Sequence, residues 1–151
     1  VSLRKKGSFN INKSIARFQR LKPRLPRQIA NQALNFFGKS FRQGGFADKV
    51  FKRWPKRFKR LSRLRSSRTI KEAATLVKSG HLRGAWAVLS ASFSKISVGT
   101  RGVRYARRHN EGLTDRLGRK MPKRKFIGKS TILERKLERR IVKEIDKTFK
   151  F

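Results

Sequence analysis

No acidic residue occurs before Asp48. The whole chain carries 43 lysines and arginines against 8 aspartates and glutamates, a formal net charge of +35. Four of the eight acids (Glu134, Glu138, Glu144 and Asp146) fall in the last eighteen residues. Self-repulsion on that scale penalises a compact free monomer, so the charge implies a polyanionic neighbour. DNA, RNA and an acidic protein face would each serve, and charge alone does not choose between them. Folding must therefore be driven by apolar material, and twelve Phe, two Trp and a hydrophobic fraction of 36% supply it. At 151 residues the chain is one domain by length, able to bury about 70% of its unfolded surface.

The periodicity of that material predicts an α+β fold, with a small, mostly antiparallel sheet packed by an N-terminal helix and a long C-terminal helix. Residues 1–12 read as a basic arm, and 13–151 as a single domain. Asn12 caps a short helix bearing Ile15 and Phe18, stopped by Pro23. Pro26 opens the next helix, where Ile29, Ala33, Phe37 and Phe41 recur every four residues and Gly44-Gly45 ends the run. Leu82 to Leu89 and Phe93 to Val98 read as strands joined by a turn at Ser90 to Ser92. Val103 to Asn110 is helical, and Leu113 to Lys125 is a surface excursion around Gly118. Thr131 with Glu134 forms a capping box ahead of a stripe of Leu133, Leu137, Ile141, Ile145 and Phe149. A second capping box, Thr69 with Glu72, opens one or two helical turns that Gly80 closes.

Several functional classes find no support in the residues. There is no cysteine, hence no disulfide framework, thiolate zinc site or thiol chemistry. Gly-Lys-Ser occurs at Gly38–Ser40 and at Gly128–Ser130, but a phosphate-binding loop needs a further glycine five positions earlier. Those places hold Ala33 and Lys123. His81 and His109 are the only histidines, and a metal would need them to converge with carboxylates. No nucleophile stands out, and acids are too scarce for general acid–base work. The chain is read as no enzyme, with no cofactor and no metal. Arg4, Lys5 and Lys6 are followed by no apolar stretch, so no secretory signal is read, and the longest apolar run, Ala85 to Leu89, is too short to span a bilayer.

The most pointed functional stretch is 52–71. It holds Lys52, Arg53, Lys56, Arg57, Lys59, Arg60, Arg63, Arg65, Arg68 and Lys71 without an acid, with Trp54 and Phe58 interleaved. Phe46 to Ser67 reads equally as a basic amphipathic helix broken near Pro55 or as an exposed loop that orders on binding. Its arginines suit phosphate oxygens, and its aromatics suit a protein interface or core better than stacking on bases. Contact with nucleic acid, contact with acidic protein and a solvated surface all remain open.

A series of short motifs runs from residue 79 to 128. It begins Ser79-Gly80-His81-Leu82-Arg83, followed by Ile96-Ser97-Val98-Gly99-Thr100. Next come Tyr105-Ala106-Arg107-Arg108-His109-Asn110-Glu111-Gly112 and then Met121-Pro122-Lys123-Arg124-Lys125-Phe126-Ile127-Gly128. In that order and spacing the series resembles the phage virion morphogenesis family, the tail-completion proteins of Mu- and P2-like phages. Ala30 to Gly44 and Trp54-Pro55 resemble the family's first helix and Trp-Pro motif, so the resemblance covers most of the chain from about residue 26. Trp86 and the basic insertion at 52–71 depart from the pattern.

The resemblance implies a structural virion protein of the neck or tail top, forming a homo-oligomeric ring that completes the tail or joins it to the head connector. It implies assembly in the host cytoplasm, with portal, connector or tail-tube proteins as neighbours, genomic DNA as a candidate partner and no membrane. Gly80, Leu82, Gly99, Tyr105, Ala106, His109, Gly112, Pro122, Arg124, Phe126 and Gly128 are then motif residues with structural roles. Gly80, Gly99, Gly112 and Gly128 are expected at element ends where a positive φ is useful. Tyr105 and Trp86 are expected half-buried against the first or last helix with their polar tips outward. The rival reading is a ribosomal or other RNA-binding structural protein, which explains the charge equally well but not the ordered motifs.

Overall fold

A 33-residue helix, α1 (Ile11–Gln43), organises the structure. The computed structural model describes residues 10–55, 76, 79–114 and 117–149. Asn10, not Asn12, is the cap, its side chain accepting from the Lys13 N–H at 3.0 Å, so the helix begins inside the stretch expected as an arm. The expected break between Pro23 and Pro26 does not occur. Each proline removes a helical N–H and costs about 3 kcal/mol in an isolated helix. Here both flanks are held by tertiary packing: Phe18 meets Phe93 and Phe149 on one side, and Leu25, Pro26, Ile29 and Ala33 are buried on the other. Gly44 ends α1 in the left-handed conformation (φ 64°), donating to the Ser40 carbonyl.

Two antiparallel hairpins follow. β1 (Gly45–Ala47) pairs with β2 (Phe51–Arg53), so the first part of the basic stretch is a strand and not a helix. The reason is local, since the glycine cap turns the chain sharply and buries Phe46 beneath α1. A single helical turn, α2 (His81–Gly84), takes the place of the expected start of the next strand. Gly80, at φ 71°, sets that turn, and the Gly84 N–H closes it on the Gly80 carbonyl at 2.8 Å. β3 (Trp86–Ala91) then pairs with β4 (Ile96–Thr100), with a bulge between Val88 and Ser90. Their turn is Ser92–Lys95, two residues later than expected. The Ser92 side chain accepts from the Lys95 N–H at 3.0 Å, which leaves Phe93 exposed at the tip.

α3 (Ala106–Glu111) and α4 (Thr131–Phe149) complete an α+β fold. α4 lies antiparallel to α1: Phe149 meets Phe18, Arg140 bonds Gln28, Gln32 bonds the Lys136 carbonyl, and Leu133 shares a cluster with Ala33 and Phe37. Along its stripe Leu133 is buried, Leu137, Ile141 and Ile145 are half-buried, and Phe149 is exposed.

The first hairpin caps α4. Ser130, one residue before the expected Thr131, accepts from the Leu133 N–H at 3.2 Å and donates to the Ala47 carbonyl at 2.7 Å. Asp48 accepts from the Thr131 N–H with its carboxylate and from the Ile132 N–H with its carbonyl, both at 3.2 Å. The Gly128–Ser130 triplet therefore precedes a helix whose first amides are already partnered, and Gly38–Ser40 lies inside α1.

Candidate functional site

Three of the four motif segments, through Leu82, Ala106 and Phe126, meet in one cluster around Phe126, which is 1% exposed. Around it pack Phe41, Trp54, Leu82, Val103 and Ala106, with ring centroids of Phe41 and Trp86 at 5.4 and 5.9 Å. Trp86 also stacks on Phe37 at 5.9 Å, so it ties this cluster to the second one beneath α4. Thus residues separated by more than eighty positions in the chain make one aromatic core.

Polar contacts grip the 123–127 segment from two sides. On one side, the Trp54 indole donates to the Lys125 carbonyl at 2.6 Å and the Arg124 Nε donates to the Pro55 carbonyl at 3.2 Å. On the other, the Arg124 N–H reaches the His109 carbonyl at 2.8 Å. The Asn110 carboxamide oxygen accepts from the N–H groups of Phe126 and Ile127 at 2.9 and 3.1 Å. Six residues are too few for α3 to stand alone, and these bonds with buried Ala106 hold it in place. Gly112 ends α3 at φ 75°, and an added Cβ would lie 3.0 Å from the Lys123 Cα, so both conformation and space demand glycine.

Leu82, Ala106, Arg124 and Phe126 of the motif segments are buried in this core, and four expectations are corrected. Arg124 is buried, so the return limb of the otherwise largely exposed 113–125 excursion enters the core. Gly99 lies within β4 and has no positive φ; its lack of a side chain admits Leu89, whose Cδ1 would be 3.0 Å from an added Cβ. Gly80 and Gly128 do have positive φ, and Pro122 is half-buried. The Trp86 Nε1 does not reach out: it is buried with no hydrogen-bond partner among the described residues. Tyr105 is 38% exposed and packs on neither long helix in its ring contacts. Its ring lies between the two histidines, 6.4 Å from His81 and 5.8 Å from His109.

Burial, and then the Arg124 guanidinium, hold the His109 imidazole below the usual histidine value. Its Nδ1 is buried without a partner among the described residues. No group of three His, Asp or Glu side chains gathers among the described residues. None of their helices is long and apolar enough to cross a membrane.

Of the expected contact residues, Lys52 and Arg53 lie exposed on β2. Lys56, Arg57, Lys59, Arg60, Arg63, Arg65, Arg68 and Lys71 lie outside the described residues, as do the Thr69–Glu72 capping box and most of the turns after it. Compared with known proteins, the chain matches no family model, no curated protein and no solved structure. Its surface and its motif core carry the functional argument.

A second basic surface was not anticipated from the sequence. Between α1 and α4 runs an open groove in two stretches that meet at Gln28. Arg17, Arg20 and Arg24 line one stretch with Lys147, and Lys39 lines the other with Lys136 and Arg140. Along each helix these positions are separated by steps of three or four residues or by sums of such steps. The same periodicity that defines the apolar stripe thus defines this polar face.

Proposed function

We propose that the protein is a structural virion component of a phage neck or tail top, one subunit of a ring that completes the tail or joins it to the head connector. The observation that carries this reading is the junction around Phe126. Motif segments that resemble those of tail-completion proteins, dispersed over fifty residues, interlock through Leu82, Ala106, Asn110, Arg124 and Phe126. Trp54-Pro55, assigned to the same resemblance from far upstream, closes the same junction. In this reading the chain catalyses no reaction and holds no cofactor. Its partners are further copies of itself and neighbouring portal, connector or tail-tube proteins.

The charge of +35 favours a second reading, an RNA-binding structural protein of ribosomal type. One experiment separates the two. An epitope-tagged chain is expressed during phage growth, and virions and ribosomes are separated by density. Electron microscopy with a labelled antibody should place the tag at the head–tail junction of virions. Co-sedimentation with ribosomes and absence from virions would overturn the virion reading.

A further inference from the structure

We propose that the groove between α1 and α4 seats the phosphodiester backbone of a nucleic-acid duplex. This surface is distinct from the 52–71 stretch, and the argument holds under either reading of the protein's role.

The groove is cationic beyond what the overall composition requires. Seven basic side chains line it against one carboxylate, Glu144. That carboxylate is already paired with Lys147 at 3.1 Å and Arg140 at 3.2 Å. The other acids of α4 (Glu134, Glu138 and Asp146) do not line it, and α1 contains none. The spacing of the helices is fixed from within, because Arg140 Nη2 donates to Gln28 and Gln32 donates to the Lys136 carbonyl. Asn31 and Asn35 stand exposed beside them, supplying donors and acceptors that suit phosphate and sugar oxygens.

Shape and lining favour a duplex. From Arg17 to Lys39 the groove follows α1 for about 33 Å, close to one turn of double helix. Single strands are held largely by stacking on open aromatic faces. The one aromatic in the groove, Phe36, lies under Lys136, whose Nζ is 5.7 Å from the ring centroid. The groove lacks the apolar centre that anchors most protein interfaces, since cations and carboxamides dominate its lining.

The test measures binding of the full chain to fluorescent duplexes of about 20 base pairs, of DNA and of RNA in separate arms, across a salt series. A groove variant carries Arg24→Gln, Lys39→Gln and Lys136→Gln. A control of identical charge carries Arg83→Gln, Arg101→Gln and Arg104→Gln, all exposed and away from the groove. The groove variant should lose roughly a hundredfold in affinity at low salt, and its slope of log K against log salt should fall by about 2.7. The control should change within about threefold, since it alters only the long-range field. The arm with the tighter, groove-dependent binding identifies the duplex as DNA or RNA.

Equal losses in the two variants would overturn the proposal, because binding would then follow net charge. Unchanged duplex affinity in the groove variant would also overturn it, as would a groove-dependent preference for polyglutamate over duplex. Lysine acetylation of the unmodified protein gives a check independent of variant folding. Bound duplex should protect Lys39, Lys136 and Lys147 more than Lys95, and equal reactivity of all four would refute the site.

Discussion

Replacing Phe126 by alanine tests whether the motif series is a folding signature. Phe126 is 1% exposed and lies against the rings of Phe41 and Trp86, so no water reaches it and neighbours on both sides lose contacts together. Truncations of this kind cost about 3–5 kcal/mol, from lost transfer energy and from the cavity that remains. Against a total stability of about 5–15 kcal/mol, that is a large share of what holds the domain. For a chain of this size, each kcal/mol lowers the melting temperature by about 2–4 °C, so Phe126→Ala should melt about 6–20 °C lower.

Trp54→Phe refines the argument. It keeps an aromatic ring beneath Phe41 but removes the indole N–H and strands the Lys125 carbonyl, for a cost of about 1–3 kcal/mol. Urea unfolding followed by near-ultraviolet circular dichroism, in moderate salt to screen self-repulsion, measures both. If Phe126→Ala unfolds within about 0.5 kcal/mol of the parent chain, well below any core truncation, the segment 123–127 is not buried and the structural reading of the motifs fails.

Three further outcomes follow from the same contacts. Ser130→Ala removes both the cap on Leu133 and the bond to the Ala47 carbonyl, and should cost about 1–2 kcal/mol in urea unfolding; no loss would mean that the first hairpin does not anchor α4. Leu137→Asp places a carboxylate at a half-buried position packed on the second cluster and should cost about 1–3 kcal/mol, whereas unchanged melting would show that this part of the stripe faces water. His109 is held below its usual value, so as pH falls through 6.5 the unfolded chain takes up a proton that the folded one resists; stability should decline between pH 7.5 and 5.5, and His109→Gln should flatten that decline, an identical pH slope in the variant counting against the burial argument.

Which parts of the architecture were legible in the sequence depends on the range over which each is determined. The four-residue stripe from Ile29 to Phe41 and its counterpart from Leu133 to Ile145 identified both long helices, because side-chain phase is a local property. The prolines misled for the converse reason. Their cost is local and visible, while the packing that holds the flanking turns, Phe18 against Phe93 and Phe149 included, joins segments 75 and more residues apart. Trp54 fitted a helix broken near Pro55, yet its burial against Phe41 followed from where the Gly44 turn sent the chain.

The junction itself was legible in its apolar members and opaque in its polar ones. Ala106, Phe126 and the turn glycines carry sequence signals of burial or backbone conformation, and they were singled out. Asn110, whose one oxygen holds two backbone N–H groups of another segment, sat unremarked between His109 and Gly112. Asparagine at a helix end has a routine local explanation, so nothing in a single sequence distinguishes a side chain that caps its own turn from one that clamps another segment. The groove between α1 and α4 was missed for a related reason. In a chain of net charge +35, seven basic residues draw no notice until two helices pack side by side and a single carboxylate is found among them.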